Sequence, residues 1–323
     1  MNQHRILFDM QKSTKQPDWD DLRFFLEVVR AGTASAAAKR LGVDYTTVAR
    51  RIRALEEAMS ALLFDKSRSS GFTLTPDGQQ LVSHAEAMEG AMQAACEQVS
   101  GSGSALSGLV RIGCTEAFGS YFVIPEMVAF QDRYPNIAID VLPVPHFVSL
   151  SRREADIAIT LERPARGPYV YSKLCDYTLA LYATPSYLAS HAAINTRSDL
   201  QGHRFINYVD DLAFSAQLLY LDELVPGATS ALRSTSVLAQ YQAVLQGRAL
   251  AILPCFVAAG DPRLVAVLPG EVSVVRQFWM SYSEDLRRLK RVTGVAAWLT
   301  ERARANEAYL LGHAPALTPG MPV

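Results

Sequence analysis

The N-terminal third of the chain carries a helical repeat of apolar positions. Leu22, Phe25, Leu26 and Val29 recur at i, i+3, i+4 and i+7, with acids at the start where a helix dipole favours them, so a helix is predicted over residues 18–30, ended by Gly32. Thr33 is placed as the N-cap of a short second helix, Ala34 to Leu41, whose alanines allow close packing and which Gly42 stops. Asp44 is read as the cap of a third helix, Tyr45 to Met59. Val48, Ile52, Leu55 and Met59 share one of its faces, leaving Tyr45, Thr46, Ala49, Arg50 and Arg53 on the other. LLFDKSRSSGFTLTPDG then reads as a hairpin, strand-like at both ends around a Ser-Ser-Gly centre, with Lys66 and Arg68 near its tip. From Asp77 to Val99, Leu81, Ala85, Met88, Met92, Ala95 and Val99 follow one another in steps of 4, 3, 4, 3 and 4, the seam of a helix that pairs with another helix.

At residues 100–108 the pattern changes. SGSGSALSG holds seven Gly or Ser in nine positions, the composition of a connector. Beyond it, short β-branched runs (LVRIG, IAIDVL, DIAIT, VYSKL) alternate with helix-like stretches, which predicts an α/β domain with a largely parallel sheet. Helices are expected over Phe118 to Tyr134, from Pro185, near Ala213 to Leu221 and after Ser234-Thr235-Ser236. Strands are expected at Tyr177 to Ala183, at Arg204 to Tyr208, near Ala231 and after QGRALAILP, and the chain then returns through FWMSYS to an amphipathic helix. Such alternation places ligands beyond the carboxyl ends of the strands, here Cys114-Thr115, Pro143 to Phe147 and Thr160. Helix N-termini at those ends favour an anionic or acceptor-rich small molecule.

Composition narrows the function classes. At 323 residues with 49% hydrophobic and 20% charged, the chain can bury a sizeable core, and no apolar run approaches the roughly 20 residues that span a bilayer. The first 17 residues lack an apolar region and a cleavage site, so a cytoplasmic protein with no membrane contact is expected. Cys96, Cys114, Cys175 and Cys255 lie far apart, with no C-x-x-C, and read as packing thiols; neither metal nor cofactor is expected. Net charge is −1, yet Lys39 to Arg53 holds five basic residues against one acid. A compact basic element therefore sits inside a neutral protein, and it falls on the third helix. Two helices joined by a tight turn, the second basic on its outer face and followed by a hairpin wing, form the arrangement that sets a recognition helix in the DNA major groove.

AGTASAAAKRLGVDYTTVARRIRALE, with LLFDK and LTPDG after it, resembles the winged helix-turn-helix of LysR-type transcriptional regulators, and the order of later segments is similar to that family over nearly the whole chain. The resemblance implies a winged helix-turn-helix over 18–76 behind an N-terminal extension 1–17, and a dimerising linker helix over 77–100. It further implies a two-subdomain α/β effector domain over 107–305, like type 2 periplasmic binding proteins, with crossovers near 162–177 and 269–280 and a flexible tail 306–323. The DNA-facing residues it implies are Thr33, Tyr45, Thr46, Ala49, Arg50 and Arg53, with Lys66 and Arg68 in the wing. For the cleft it points to Cys114, Thr115, Pro143, His146, Phe147, Thr160, Asn207, Ser236 and Cys255. Its partners are double-stranded DNA, a small-molecule effector, further copies in a homodimer or homotetramer, and RNA polymerase. Ala49 departs from the family's usual Ser, Met59-Ser60 from its usual Leu-Gly, and Arg248-Ala249 from a usually Gly-rich stretch.

Two rival readings have less support. An enzyme could draw on His146, Glu116 and Asp156, but no G-x-S-x-G, H-E-x-x-H, phosphate-cradling or dinucleotide motif is present. A cytosolic small-molecule-binding protein would leave the N-terminal basic element without a purpose.

Overall fold

The computed structural model describes residues 17–65, 73–99, 106–144, 150, 155–163, 167–318 and 320. The chain forms two compact units, residues 1–100 and 101–323.

In the first unit, α1 (Trp19–Ala31), α2 (Ala34–Leu41) and α3 (Tyr45–Met59) follow the predicted punctuation. Asp18 Oδ1 accepts from the Asp20 N–H at 3.0 Å, and Thr33 Oγ1 accepts from the Ala36 N–H at 3.2 Å. Gly32 and Gly42 close their helices in the left-handed region, at φ 71° and 66°. Asp44 occupies the cap position of α3 but makes no side-chain cap bond, so only its carbonyl starts that helix. Phe25, Val48, Ile52 and Leu55 are fully buried together. Met59, expected in that core, is exposed, and Glu56 is buried in its stead, its Oε1 accepting the N–H groups of Leu63 at 3.0 Å and Phe64 at 3.4 Å. That carboxylate satisfies the chain where it leaves the helix.

A two-stranded antiparallel ribbon, β1 (Phe64–Asp65) and β2 (Thr73–Leu74), forms the base of the wing; its tip, with Lys66 and Arg68, lies outside the described residues. α4 (Pro76–Val99) begins on Thr75, whose Oγ1 accepts from the Gly78 N–H at 3.0 Å and whose hydroxyl donates to the Leu62 carbonyl at 2.6 Å. Gly78 is required there: a Cβ would meet the Leu63 carbonyl oxygen at 2.1 Å. The heptad seam divides along α4. Ala85 is fully buried against the unit's own core and Leu81 packs on it, whereas Met88 and Met92 are about half exposed.

The second unit is built on one curled, mixed sheet in the order β4 (Ile137–Val144), β3 (Gly108–Thr115), β5 (Ile157–Thr160), β11 (Ser273–Ser283), β6 (Tyr169–Ala183), β9 (Leu250–Pro254), β7 (Arg204–Asn207), β8 (Thr229–Arg233), with β10 (Val265–Ala266) also on β6. Two parallel sets, β4-β3-β5 and β9-β7-β8, are joined through the long antiparallel pair β6–β11, which passes through both halves and shifts register between Phe278 and Trp279. The sheet is thus parallel within each half, as the largely parallel expectation had it, and antiparallel at the join. Helical cover comes from α5 (Glu116–Phe118), a π turn (Gly119–Val123) and α6 (Ile124–Arg133) on the first half, and from α7 (Pro185–Ser190), α8 (Tyr220–Leu224), α9 (Val237–Val244) and α10 (Cys255–Ala258) on the second. α11 (Lys290–Ala305) returns to α6, where the Trp298 indole N–H donates to the Glu126 carbonyl at 3.1 Å.

Two expectations are corrected. The helix expected near Ala213 to Leu221 is instead two 3₁₀ turns, Asp210–Leu212 and Ala216–Leu218, leading into α8. Ser215 interrupts it: its Oγ accepts from the Gln217 N–H at 3.0 Å and donates to Glu162 Oε1 at 2.5 Å, a local bond that competes with helix. The tail expected to be flexible from residue 306 is packed through 318. α12 (Glu307–Leu310) buries Leu310 completely, Tyr309 donates its hydroxyl to the Phe256 carbonyl at 2.7 Å, and Asn306 Oδ1 accepts from the Thr318 N–H at 2.7 Å. No helix among the described residues is long and apolar enough to cross a membrane.

Candidate functional site

Each unit presents one chemically distinctive region. In the first, Tyr45, Thr46, Arg50 and Arg53 are exposed on α3, with Ala49 half-buried between them. Thr33 is exposed at the head of α2, its oxygen already accepting the cap bond. The three arginines of ARRIR are not equivalent. Arg51 turns back on α1, with Nη1 3.0 Å from Asp21 Oδ1 and Nη2 3.2 Å from Asp20 Oδ2, while its guanidinium lies 5.7 Å over the Phe24 ring. Lys39, Arg40, Arg50 and Arg53 form no ion pair among the described residues and keep their positive charge exposed. The tertiary fold thereby separates a structural arginine from two that are available to a polyanion.

In the second unit, a cleft between the two halves of the sheet encloses about 460 Å³ of empty space, its open mouth included. Its wall is mostly aromatic and aliphatic: Tyr177, Tyr208, Phe214, Tyr220, Phe256 and Phe278 stand with Leu161, Leu218 and Val237. Phe278 stacks on Tyr177 with ring centroids 4.3 Å apart. Burial raises the Tyr177, Tyr208 and Tyr220 phenols well above the ordinary tyrosine range, helped at Tyr208 by Tyr177 and Glu116, so all three keep their protons. Among the described residues, the wall contains one carboxylate, Glu116, and no basic side chain. Glu116 Oε1 accepts from Ser236 Oγ at 3.0 Å across the cleft, while Oε2 is buried with no hydrogen-bond partner, as is the Tyr220 hydroxyl. The Ser215–Glu162 bond crosses between the same halves.

Of the residues expected in the cleft, Thr115 stands in the wall, at the N-cap position of α5 but with no side-chain cap bond. Cys114, Pro143, Thr160, Asn207, Ser236 and Cys255 are each one position away from a wall residue, next to Thr115, Val144, Leu161, Tyr208, Thr235 and Phe256. Thr160 donates instead to the Glu162 carbonyl at 2.7 Å. Ser236 caps α9, accepting from the Ala239 N–H at 3.0 Å, and reaches the cleft through Glu116. Burial pushes the Cys114 thiol up to about 12 and raises Cys255 as well, so neither offers a thiolate. His146 and Phe147 lie outside the described residues. The aromatic wall was not anticipated, although Tyr208 is the last residue of a predicted strand. Among the described residues, no three His, Cys, Asp or Glu side chains gather as metal ligands.

Comparison with known proteins bears on both regions. Residues 19–79 match the family model for the bacterial regulatory helix-turn-helix protein of the lysR family, and residues 103–304 match the LysR substrate binding domain. The Mau operon transcriptional activator of Paracoccus denitrificans is 28% identical over 301 residues, covering 90% of this chain and 99% of that protein. The transcriptional activator TtdR of Escherichia coli K12 is 26% identical over 308 residues, 90% of this chain and 96% of its own. Among solved structures, a full-length OxyR variant from Pseudomonas aeruginosa superposes with a TM-score of 0.69 at 18% identity, over 93% of this chain and all of that one, a likeness of fold. With both domains matched in this order along one chain, the protein belongs to the LysR family of transcriptional regulators and is not an enzyme.

Proposed function

We propose that the protein regulates transcription by reading operator DNA with the outer face of α3 and by adjusting that binding to a small molecule held in the cleft of the second unit. The observation that carries this reading is the division of labour among the α3 arginines. Arg51 is held by α1, while Arg50 and Arg53 stay exposed and without ion pairs beside Tyr45, Thr46 and Ala49. An arginine fork presented on a helix matches the O6 and N7 acceptors of guanine. Thr33 at the head of α2, with Lys66 and Arg68 of the wing, is assigned to phosphate, which fixes register rather than sequence.

In this reading two copies pair through α4, whose exposed Met88 and Met92 extend the heptad seam beyond the unit's own core, and a homotetramer would be two such pairs. Half-site spacing in the operator then follows from the dimer. RNA polymerase is the partner on which a bound dimer acts at a promoter. Effector and DNA are linked thermodynamically: a ligand that changes the affinity for DNA has its own affinity changed by DNA in the same ratio. For an anionic effector the described residues of the cleft wall supply no basic side chain.

The test is binding to the DNA that flanks the gene, measured by gel shift. Arg50→Ala is expected to weaken binding by about 10- to 100-fold, the value of a bidentate base contact. Arg287→Ala, a surface residue 3.1 Å from Glu284 in the second unit, is expected to leave it unchanged. Equal binding by the two variants would show that α3 does not read the operator.

A further inference from the structure

We infer that the cleft takes a small aromatic molecule carrying a hydrogen-bond donor, an amine or a hydroxyl, and no carboxylate. The inference rests on the reading of the cleft as the effector site. Its wall sets the chemistry: six aromatic rings line the cleft, and such rings favour a flat partner that stacks or meets them edge-on. Polar recognition is then left to very few atoms. Glu116 Oε2 is buried and unpaired, although Oε1 of the same carboxylate is held by Ser236. A carboxylate accepts only, so what completes it must be an N–H or O–H. The Tyr220 hydroxyl, buried and unpaired as well, can accept from or donate to the same ligand head group.

The lack of a basic side chain among the described wall residues points the same way. A ligand carboxylate would enter an apolar cleft facing Glu116, with like charges close and no basic side chain among the described wall residues to offset the loss of water. Arg276 is opposite Tyr177 in the β11–β6 register but outside the wall; one of its terminal nitrogens is ion-paired with Glu223, while its Nε is buried without a partner. A protonated amine, in contrast, meets a carboxylate and the faces of several rings. A hydroxyl meets the same acceptor without a charge. Because Ser236 and Glu116 belong to opposite halves of the sheet, a donor bound to Oε2 would bridge both halves through one side chain.

The experiment uses the full-length protein and four probes in titration calorimetry: phenethylamine, 2-phenylethanol, 3-phenylpropionate and the ringless butylamine. Phenethylamine and 2-phenylethanol are expected to bind at least about tenfold more tightly than 3-phenylpropionate or butylamine. Glu116→Gln, which keeps the size of the side chain and an acceptor for Ser236, is expected to weaken phenethylamine about tenfold and to narrow its advantage over 3-phenylpropionate. Val237→Trp, which fills the cleft from its half-buried rim, is expected to abolish binding of every probe. If Val237→Trp does not fold by circular dichroism, Thr235→Phe on the same wall replaces it.

Binding of 3-phenylpropionate as tightly as the amine, indifference of the amine to Glu116→Gln, or no heat from any aromatic probe at millimolar concentration would overturn the ligand class. If the probes bind but a folded cleft-filling variant binds them equally well, the reading of the cleft as the ligand site fails instead. The two failures are therefore distinguishable.

Discussion

Ser60 shows what a single residue can set. It closes α3 at φ 52°, its N–H donating to the Glu57 carbonyl at 3.2 Å while the Ala61 N–H donates to Glu56 at 3.1 Å, the bonding of a left-handed helix stop. A side chain in that conformation costs about 1–2 kcal/mol, a cost that glycine avoids. Ser60→Gly is therefore expected to raise the opening free energy of the α3 amides by about 0.5–1 kcal/mol, less than the full strain because glycine also loosens the unfolded chain. Hydrogen exchange on the full chain measures it. Unchanged or faster exchange in α3 would mean that Ser60 is not strained.

At the scale of elements, α4 does two jobs along its length. Its first turns belong to the core of its own unit through Leu81, Val82 and Ala85, and Arg30 of α1 ties Glu89 to that arrangement with Nη2 2.5 Å from Oε2. Beyond that point Met88 and Met92 are 49% and 56% exposed, far more than such side chains need to be on a helix that already has a core to join. Met88→Asp would place an unpaired carboxylate in the proposed seam between copies, where burying it is costly. The expected result is a shift from dimers to monomers in sedimentation, with dimerisation weakened about tenfold or more, while the helix content is kept. Dimers of unchanged affinity would move the interface off this face.

For the molecule as a whole, acid sensitivity follows from a group far from both proposed sites. His203 is buried, with Nδ1 2.8 Å from the Tyr187 hydroxyl and its ring centroid 5.6 Å from that of His191. Burial and the neighbouring His191 lower its pKa below 6.5, more than Asp199 raises it, so the folded state holds the ring neutral. The sign follows from linkage: the unfolded chain binds this proton more readily, so the stability it contributes is present above pH 6.5 and lost as the pH falls through the lowered value. His203→Asn supplies an acceptor near the position of Nδ1 but cannot be protonated. It is expected to flatten the decline in melting temperature below pH 6.5. A variant that declines as steeply as the wild type would assign the acid sensitivity to other groups.

The order of elements was written in the sequence because local rules govern it. Caps at Asp18 and Thr33, left-handed stops at Gly32 and Gly42 and the 3.6-residue repeat fix α1 to α3 with bonds made inside a few residues. The position of the cleft was legible too, since parallel strands leave their carboxyl ends open to a ligand. Which side chain at each end faces the cleft was not. The polar residue chosen at five strand or helix ends, Pro143 being the apolar exception, sits one position from a wall residue, and alternation of side chains makes one position the difference between facing in and facing away. The two halves that form the cleft meet through β6 and β11, a pairing between residues about a hundred apart in sequence. Contacts beyond the local pattern likewise gave Arg51 to the acids of α1, Glu56 to the amides before the wing, Ser215 to Glu162, Tyr309 to Phe256 and Thr318 to Asn306. The sequence by itself determined the elements, their order and their chemistry in the aggregate. Only the tertiary structure decided which individual side chains are consumed within the fold and which are left for DNA and ligand, because that choice depends on partners that no local pattern can name.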